Sequence, residues 1–160
     1  MPIEASQIVV LDTNVIASAF KEKDVTSIYF TYKVLIECCR VAVPSNREFC
    51  MWLVNPLPRE WYRYVKNEKS FWQWWDELAK SRKILHREVS IERIPVPKSS
   101  NVSDNDRAFI ALALETGGVL VCCEERGVVS YFNSPDVPGT LKPGVLFLSS
   151  RGEAQSFRCK

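Results

Sequence analysis

The stretch Ile8-Val9-Val10-Leu11-Asp12-Thr13-Asn14-Val15-Ile16 decides the fold. Four apolar residues, three of them β-branched, end abruptly in a carboxylate, and a helix-like apolar pattern opens at once. A continuous apolar run of that length reads as a strand buried on both faces, the mark of a parallel sheet. Asp12 then stands at the strand's C-terminal end, the edge where open α/β sheets bind their ligands. A carboxylate followed by small polar residues at that edge suits a cation or a phosphate.

Outward from this strand, helices and strands alternate. Residues 14–20 read as a helix, and residues 25–39 as a second, with Ile28, Val34, Leu35 and Cys38 at its apolar positions. Residues 41–43 read as a strand ended by Pro44. Ser45 with Glu48 three positions later forms a capping-box pattern that predicts a helix there. After Pro56 and Pro58, two helical stretches fill residues 59–85 and carry Trp61, Trp72, Trp74 and Trp75. Residues 89–96 read as a third strand, closed by Pro95 and Pro97. Residues 104–116 form a helix with Phe109, Ile110, Ala113 and Leu114 on one side, stopped by Gly117-Gly118. Residues 119–122 and 145–148 are the fourth and fifth strands. Such alternation predicts a three-layer α/β/α sandwich with a mainly parallel central sheet. One domain is expected over residues 1–150, with a tail at 151–160.

The chain has 160 residues, 46% of them hydrophobic, enough to bury a sizeable core. Its ordinary charged fraction and lack of low-complexity tracts argue against disorder. No apolar run approaches the roughly 18 residues needed to span a bilayer. The N-terminus lacks the basic and apolar regions of a signal peptide. A cytoplasmic protein without membrane association is expected.

The six cysteines, Cys38, Cys39, Cys50, Cys122, Cys123 and Cys159, include two vicinal pairs and no C-x-x-C, and His86 is the only histidine. Neighbouring side chains diverge on a strand or helix, so these pairs suit zinc poorly. Buried reduced thiols are expected instead, as in an intracellular protein. Residues 59–98 hold ten Lys/Arg against six Asp/Glu, a basic middle between acid-bearing flanks. That distribution suits a polyanion held beside carboxylates, although a solvated helix face explains any single lysine or arginine as well.

Three further acids belong with Asp12. Glu124 lies just past the fourth strand, Asp106 opens the helix before it, and Glu48 follows the second strand. Strand C-termini and helix N-termini share one edge of a parallel sheet, so all four meet on one rim. Glu37 precedes the second strand and falls toward the opposite edge. Four acids on one rim repel unless a cation neutralises them, and oxygen-only ligands favour Mg²⁺ or Mn²⁺. Such an ion activates water and neutralises charge on a phosphodiester. A phosphotransferase of the haloacid-dehalogenase type also begins with an apolar strand and Asp. It needs a second aspartate two positions on, where this chain has Asn14.

With these motifs in order, the sequence resembles the PIN-domain ribonuclease family. The stretch from Val10 to Ile16 looks like the family's first strand and first metal-binding aspartate. The block beginning Asp104-Asn105-Asp106-Arg107-Ala108 is similar to its third-acid helix. Leu120-Val121-Cys122-Cys123-Glu124 stands at its fourth strand and acid, with Cys122, Cys123 and Glu124 where Thr/Ser, a small residue and Asp are usual. Gly144 to Ser149 resembles the closing strand.

The resemblance implies an endoribonuclease that uses Mg²⁺ or Mn²⁺ held by Asp12, Glu48, Asp106 and Glu124, with Asp104 supporting or replacing Asp106. Asn14 and Thr13 would be auxiliary polar groups, Asn14 bonding the first acid or its hydration shell. Arg107, Arg126 and Lys98 lie near the rim in sequence as candidate phosphate contacts. Single-stranded or structured RNA is the expected partner. A toxin paired with an antitoxin and a homodimer are further expectations. The alternative is a catalytically weak or inactive module that binds RNA or protein, with some tryptophans, Trp52 among them, at a partner surface.

Overall fold

The structure, a computed structural model, describes residues 7–37, 39–51, 55–97, 101–123 and 126–148. In chain order the elements begin with β1 (Ile8–Leu11), α1 (Thr13–Ile16) and a π-helical continuation (Ala17–Lys21). Next come α2 (Val25–Ile36), β2 (Arg40–Pro44), β3 (Cys50–Met51), β4 (Leu57–Pro58), α3 (Arg59–Val65) and α4 (Lys69–Lys80). The chain continues with β5 (Ile84–Arg87), α5 (Asp104–Thr116), β6 (Val119–Cys122), α6 (Arg126–Asn133) and β7 (Gly144–Phe147).

Five strands form one sheet in the order β5-β2-β1-β6-β7, and every pairing in it is parallel. Val9, Val10 and Leu11 are fully buried, as are Val41, Ala42 and Val43, which is why both runs carry no alternating polar residue. The chain builds from β1 outward through β2 to β5, then crosses back to β6 and β7. Right-handed crossovers place α1–α4 on one face and α5 and α6 on the other. The packing agrees: α2 meets α4 on the first face, and α5 lies across β1, β2 and β6 on the second. The sheet with its flanking helices is the expected α/β/α architecture. No helix among the described residues is long and apolar enough to cross a membrane.

The reversal of strand order falls between β1 and β6, and there a crevice opens beyond the strand ends. Leu11 pairs with Val121, and the next amide, Asp12 N–H, donates to the Val121 carbonyl at 2.9 Å. Asp12 is therefore the residue that follows β1 at the switch point, its amide still tied to β6 and its side chain capping α1.

Beneath α3, Phe20, Trp61, Phe71, Trp74 and Trp75 form a buried aromatic cluster. Ring centroids lie 5.2 Å apart for Phe20–Trp74 and 5.9 Å apart for Trp61–Trp75. Trp74 Nε1 donates to the Thr31 carbonyl at 2.8 Å, tying α4 to α2. These aromatics serve the core, and through Trp61 they fix the start of α3. Trp52 lies outside the described residues.

Two expected elements are replaced. The Ser45–Glu48 pattern opens no helix; residues 47–49 form a turn that leads into β3. The amides of Phe49 and Cys50 both donate to the Asn46 carbonyl at 3.0 Å. Asn46 meanwhile pairs with the Val89 backbone through two bonds of 2.8 Å. A long-range clamp thus overrides the local cap. The third strand of the sheet is β5, not residues 89–96, because Val89 is held by Asn46 and prolines interrupt the segment beyond it. Ile94 N–H instead donates to the Ile91 carbonyl at 3.0 Å, closing a turn.

Cys50 and Cys122 are buried thiols, as expected, and Cys123 is a partly buried one, but Cys39 departs from expectation in being disulfide-bonded.

Candidate active site

Three elements converge on a cavity of about 360 Å³ at the switch point. β1 delivers Asp12 with Thr13 and Asn14, α3 delivers Glu60 and Tyr64, and Ser103 and Asp106 open α5. The π-helical segment adds Ser18 and, just past its end, Glu22. Its i→i+5 bond runs from the Glu22 amide to the Ala17 carbonyl at 3.0 Å. Short π-helical segments of this kind are frequent at functional sites.

Asp12 is 3% exposed, and its Oδ1 accepts from the Thr13 amide at 2.9 Å. Thr13 in turn donates from its hydroxyl to Glu60 Oε2 at 2.9 Å. That bond spans 47 residues and couples the first acid's neighbour to α3. Asn14 Oδ1 accepts from the Cys123 amide at 3.3 Å. Asn14 thus joins the ends of β1 and β6.

Asp106 is 8% exposed and completes a capping box: Ser103 N–H donates to its Oδ2 at 3.0 Å, and its own amide donates to Ser103 Oγ at 3.1 Å. Gly127 closes in from α6. A Cβ there would sit 2.9 Å from the Asn101 carbonyl and 3.2 Å from Asp106 Oδ2, so glycine is what lets α6 approach this carboxylate.

Burial raises the Asp106 pKa above the ordinary carboxylate range, against the pull of the Ser103 hydrogen bonds. The folded state therefore binds this proton more tightly than the unfolded chain. The site is most stable with Asp106 protonated and loses that stability as pH rises through the folded-state pKa. Asp106→Asn, which keeps the acceptor for Ser103, is expected to raise the melting temperature of metal-free protein by about 2–4 °C at neutral pH. The gain should shrink as pH falls into the carboxylate range, as thermal melts across pH would show.

Burial also pushes the Cys123 thiol up, opposed by hydrogen bonds with Ser18 and Ser27 and reinforced by Asp24 and Asp12.

The remaining candidates fall elsewhere. Glu48 is exposed in the turn before β3 and is absent from the cavity wall. Glu60 occupies the place expected of it. The signal for Glu60 was present in Pro58-Arg59-Glu60, a proline followed by an acid in a helix's first turn.

Asp104 is 74% exposed and pairs with Arg107 at 3.2 Å, outside the cavity wall. Arg107 is committed to structure: Nε donates to the Ile94 carbonyl at 2.9 Å and Nη2 to the Ile91 carbonyl at 2.7 Å. Its guanidinium pins the irregular segment after β5 to α5. Arg107→Ala is expected to lower the melting temperature by roughly 5–10 °C, the loss of two charge-assisted bonds. Lysine should not restore it, because one ammonium lacks the fork that reaches both carbonyls. Glu124 and Lys98 lie outside the described residues. Arg126 opens α6, and its side chain lies outside them too.

Four carboxylates, Asp12, Glu22, Glu60 and Asp106, thus line one cavity whose described wall contains no Lys, Arg or His. Among the described residues, no three Asp, Glu, His or Cys side chains converge closely enough to grip a bare ion. The donor set nonetheless fits a hard divalent cation. Its charged donors are all carboxylate oxygens, two of them are buried, and Mg²⁺ keeps several waters while taking only one or two carboxylates. No family model, characterised protein or solved structure matches the chain.

Proposed function

We propose that this protein is a metal-dependent endoribonuclease of the PIN-domain kind, acting through Asp12, Glu60 and Asp106. The observation that carries the reading is their convergence. Three separate elements, β1, α3 and α5, deliver carboxylates to the wall of one cavity at the sheet's switch point. Carboxylates gathered on one cavity wall repel one another, and a cation bound there would relieve that repulsion.

When bound, Mg²⁺ or Mn²⁺ would supply Lewis-acid activation of water and neutralise charge on a scissile phosphodiester. Asp12, Glu60 and Asp106 are the residues that would hold it, directly or through water. Thr13 orients Glu60 by its hydroxyl, and Ser103 orients Asp106. Asn14 keeps the two strand ends together beneath them. His86 lies 3.2 Å from the Pro56 carbonyl and is absent from the cavity wall. Proton acceptance in hydrolysis therefore falls to the wall carboxylates.

The test compares wild type and Asp12→Asn on single-stranded RNA with Mn²⁺. Cleavage by the wild type alone supports the assignment, and equal cleavage by both sinks it. A second reading, an inactive module that binds RNA or protein, draws on the capping role of Asp106 and the wide spacing of the acids. RNA binding that ignores Mn²⁺, with no cleavage, would favour it.

A further inference from the structure

Tyr64 lines the same cavity. It lies one helical turn after Glu60 on α3, so the two project from the same side of the helix. Of the neighbouring aromatics on α3 and α4, Trp61, Phe71, Trp74 and Trp75 are buried in the core, and Tyr62 and Trp72 are partly buried against it. Tyr64 is instead 42% exposed, and Lys21 Nζ stands 5.6 Å from its ring centroid. A flat aromatic face and a mobile ammonium thus sit beside a wall made otherwise of acids and neutral polar groups.

We infer that Tyr64 and Lys21 form a shelf on which one unpaired base of a single-stranded RNA stacks while Lys21 meets its phosphate. The inference rests on the nuclease reading of this cavity. An acid-lined wall repels the backbone of a nucleic acid, so the strand needs a positive anchor near the mouth. Lys21 supplies it on a flexible stem, already drawn to the ring by the π face. Aromatic stacking holds a base without reading its identity, since every base has a π face. A paired base cannot present that face, which selects single strands. Tyr64 is displaced from Glu60 by about 6 Å along the helix axis, so the stacked base belongs to a nucleotide close to the phosphate at the acids.

The experiment uses a series of short RNAs, each with one abasic nucleotide at a successive position around the cleavage point, assayed with Mn²⁺. Wild type, Tyr64→Leu, Tyr64→Trp and Lys21→Ala are compared. In wild type, one abasic position should raise KM roughly ten-fold, the scale of one stacked base. Tyr64→Leu should show that same rise on the intact RNA and no further rise on the abasic one. Tyr64→Trp should restore the wild-type pattern, and Lys21→Ala should weaken binding at every position alike, with a smaller salt dependence. The shelf is overturned if wild type cleaves but no position is sensitive, or if Tyr64→Leu keeps the full abasic penalty. A wild-type protein that fails to cleave intact RNA overturns the nuclease reading itself. Tyr64 is half exposed, so matching melting curves establish that the variants fold.

Discussion

Asp12→Asn is expected to reduce Mn²⁺-dependent cleavage of single-stranded RNA by at least about 100-fold. That is the upper end of what partners outside a metal's direct shell cost when removed. The substitution is nearly isosteric. Asparagine keeps an oxygen for the Thr13 amide, which Asp12 Oδ1 engages at 2.9 Å, so the start of α1 stays capped. What disappears is one negative charge, at a buried position on the switch point. The melting temperature should hold or rise in metal-free protein, since a buried carboxylate has been replaced by a neutral group. Activity lost with the fold intact is the signature of a functional acid. A matching loss of stability would mark Asp12 as a helix cap and nothing more.

The second large effect separates two glutamates. Glu60→Gln should lower cleavage about 10- to 100-fold, because glutamine still accepts from the Thr13 hydroxyl but loses the charge. Glu48→Gln should change activity by no more than about twofold, as expected for an exposed surface group. Thr13→Val probes the same link from the other side. It removes the donor that orients Glu60 and should produce a milder loss than Glu60→Gln itself. Steady-state cleavage rates for the three variants give the ranking. Glu48→Gln as the most damaging of them would return the second acid to the turn before β3.

These two glutamates also show where the sequence is legible. Periodicity and composition locate β1, β2, β6 and α5, because each is a buried run or a patterned helix whose pairing partners impose nothing contrary. The αL cap at Gly117 is local chemistry and reads directly. The Ser45–Glu48 pattern is equally local in appearance. It fails because Asn46 is claimed by Val89, 43 residues away, and no window of sequence contains that competition. Arg107 is similar: beside an acid at a helix start it looks like a phosphate contact, but Ile91 and Ile94 take its donors. Asp12 and Asp106 were visible because strand ends and helix starts define one edge. Glu60 was obscured because its selection depends on Thr13, whose hydroxyl reaches across to α3. The π-helical segment that carries Ser18 and leads into Glu22 has no pattern distinct from that of an α-helix.

The central claim is that Asp12, Glu60 and Asp106 act together on one divalent cation or its hydration shell. Anomalous diffraction from crystals soaked in Mn²⁺ tests it most directly. The expected result is manganese inside the cavity, bound directly or through one water to all three carboxylates. Manganese bound elsewhere, or Asp12 and Asp106 too far apart to share an ion or its water shell, would contradict it.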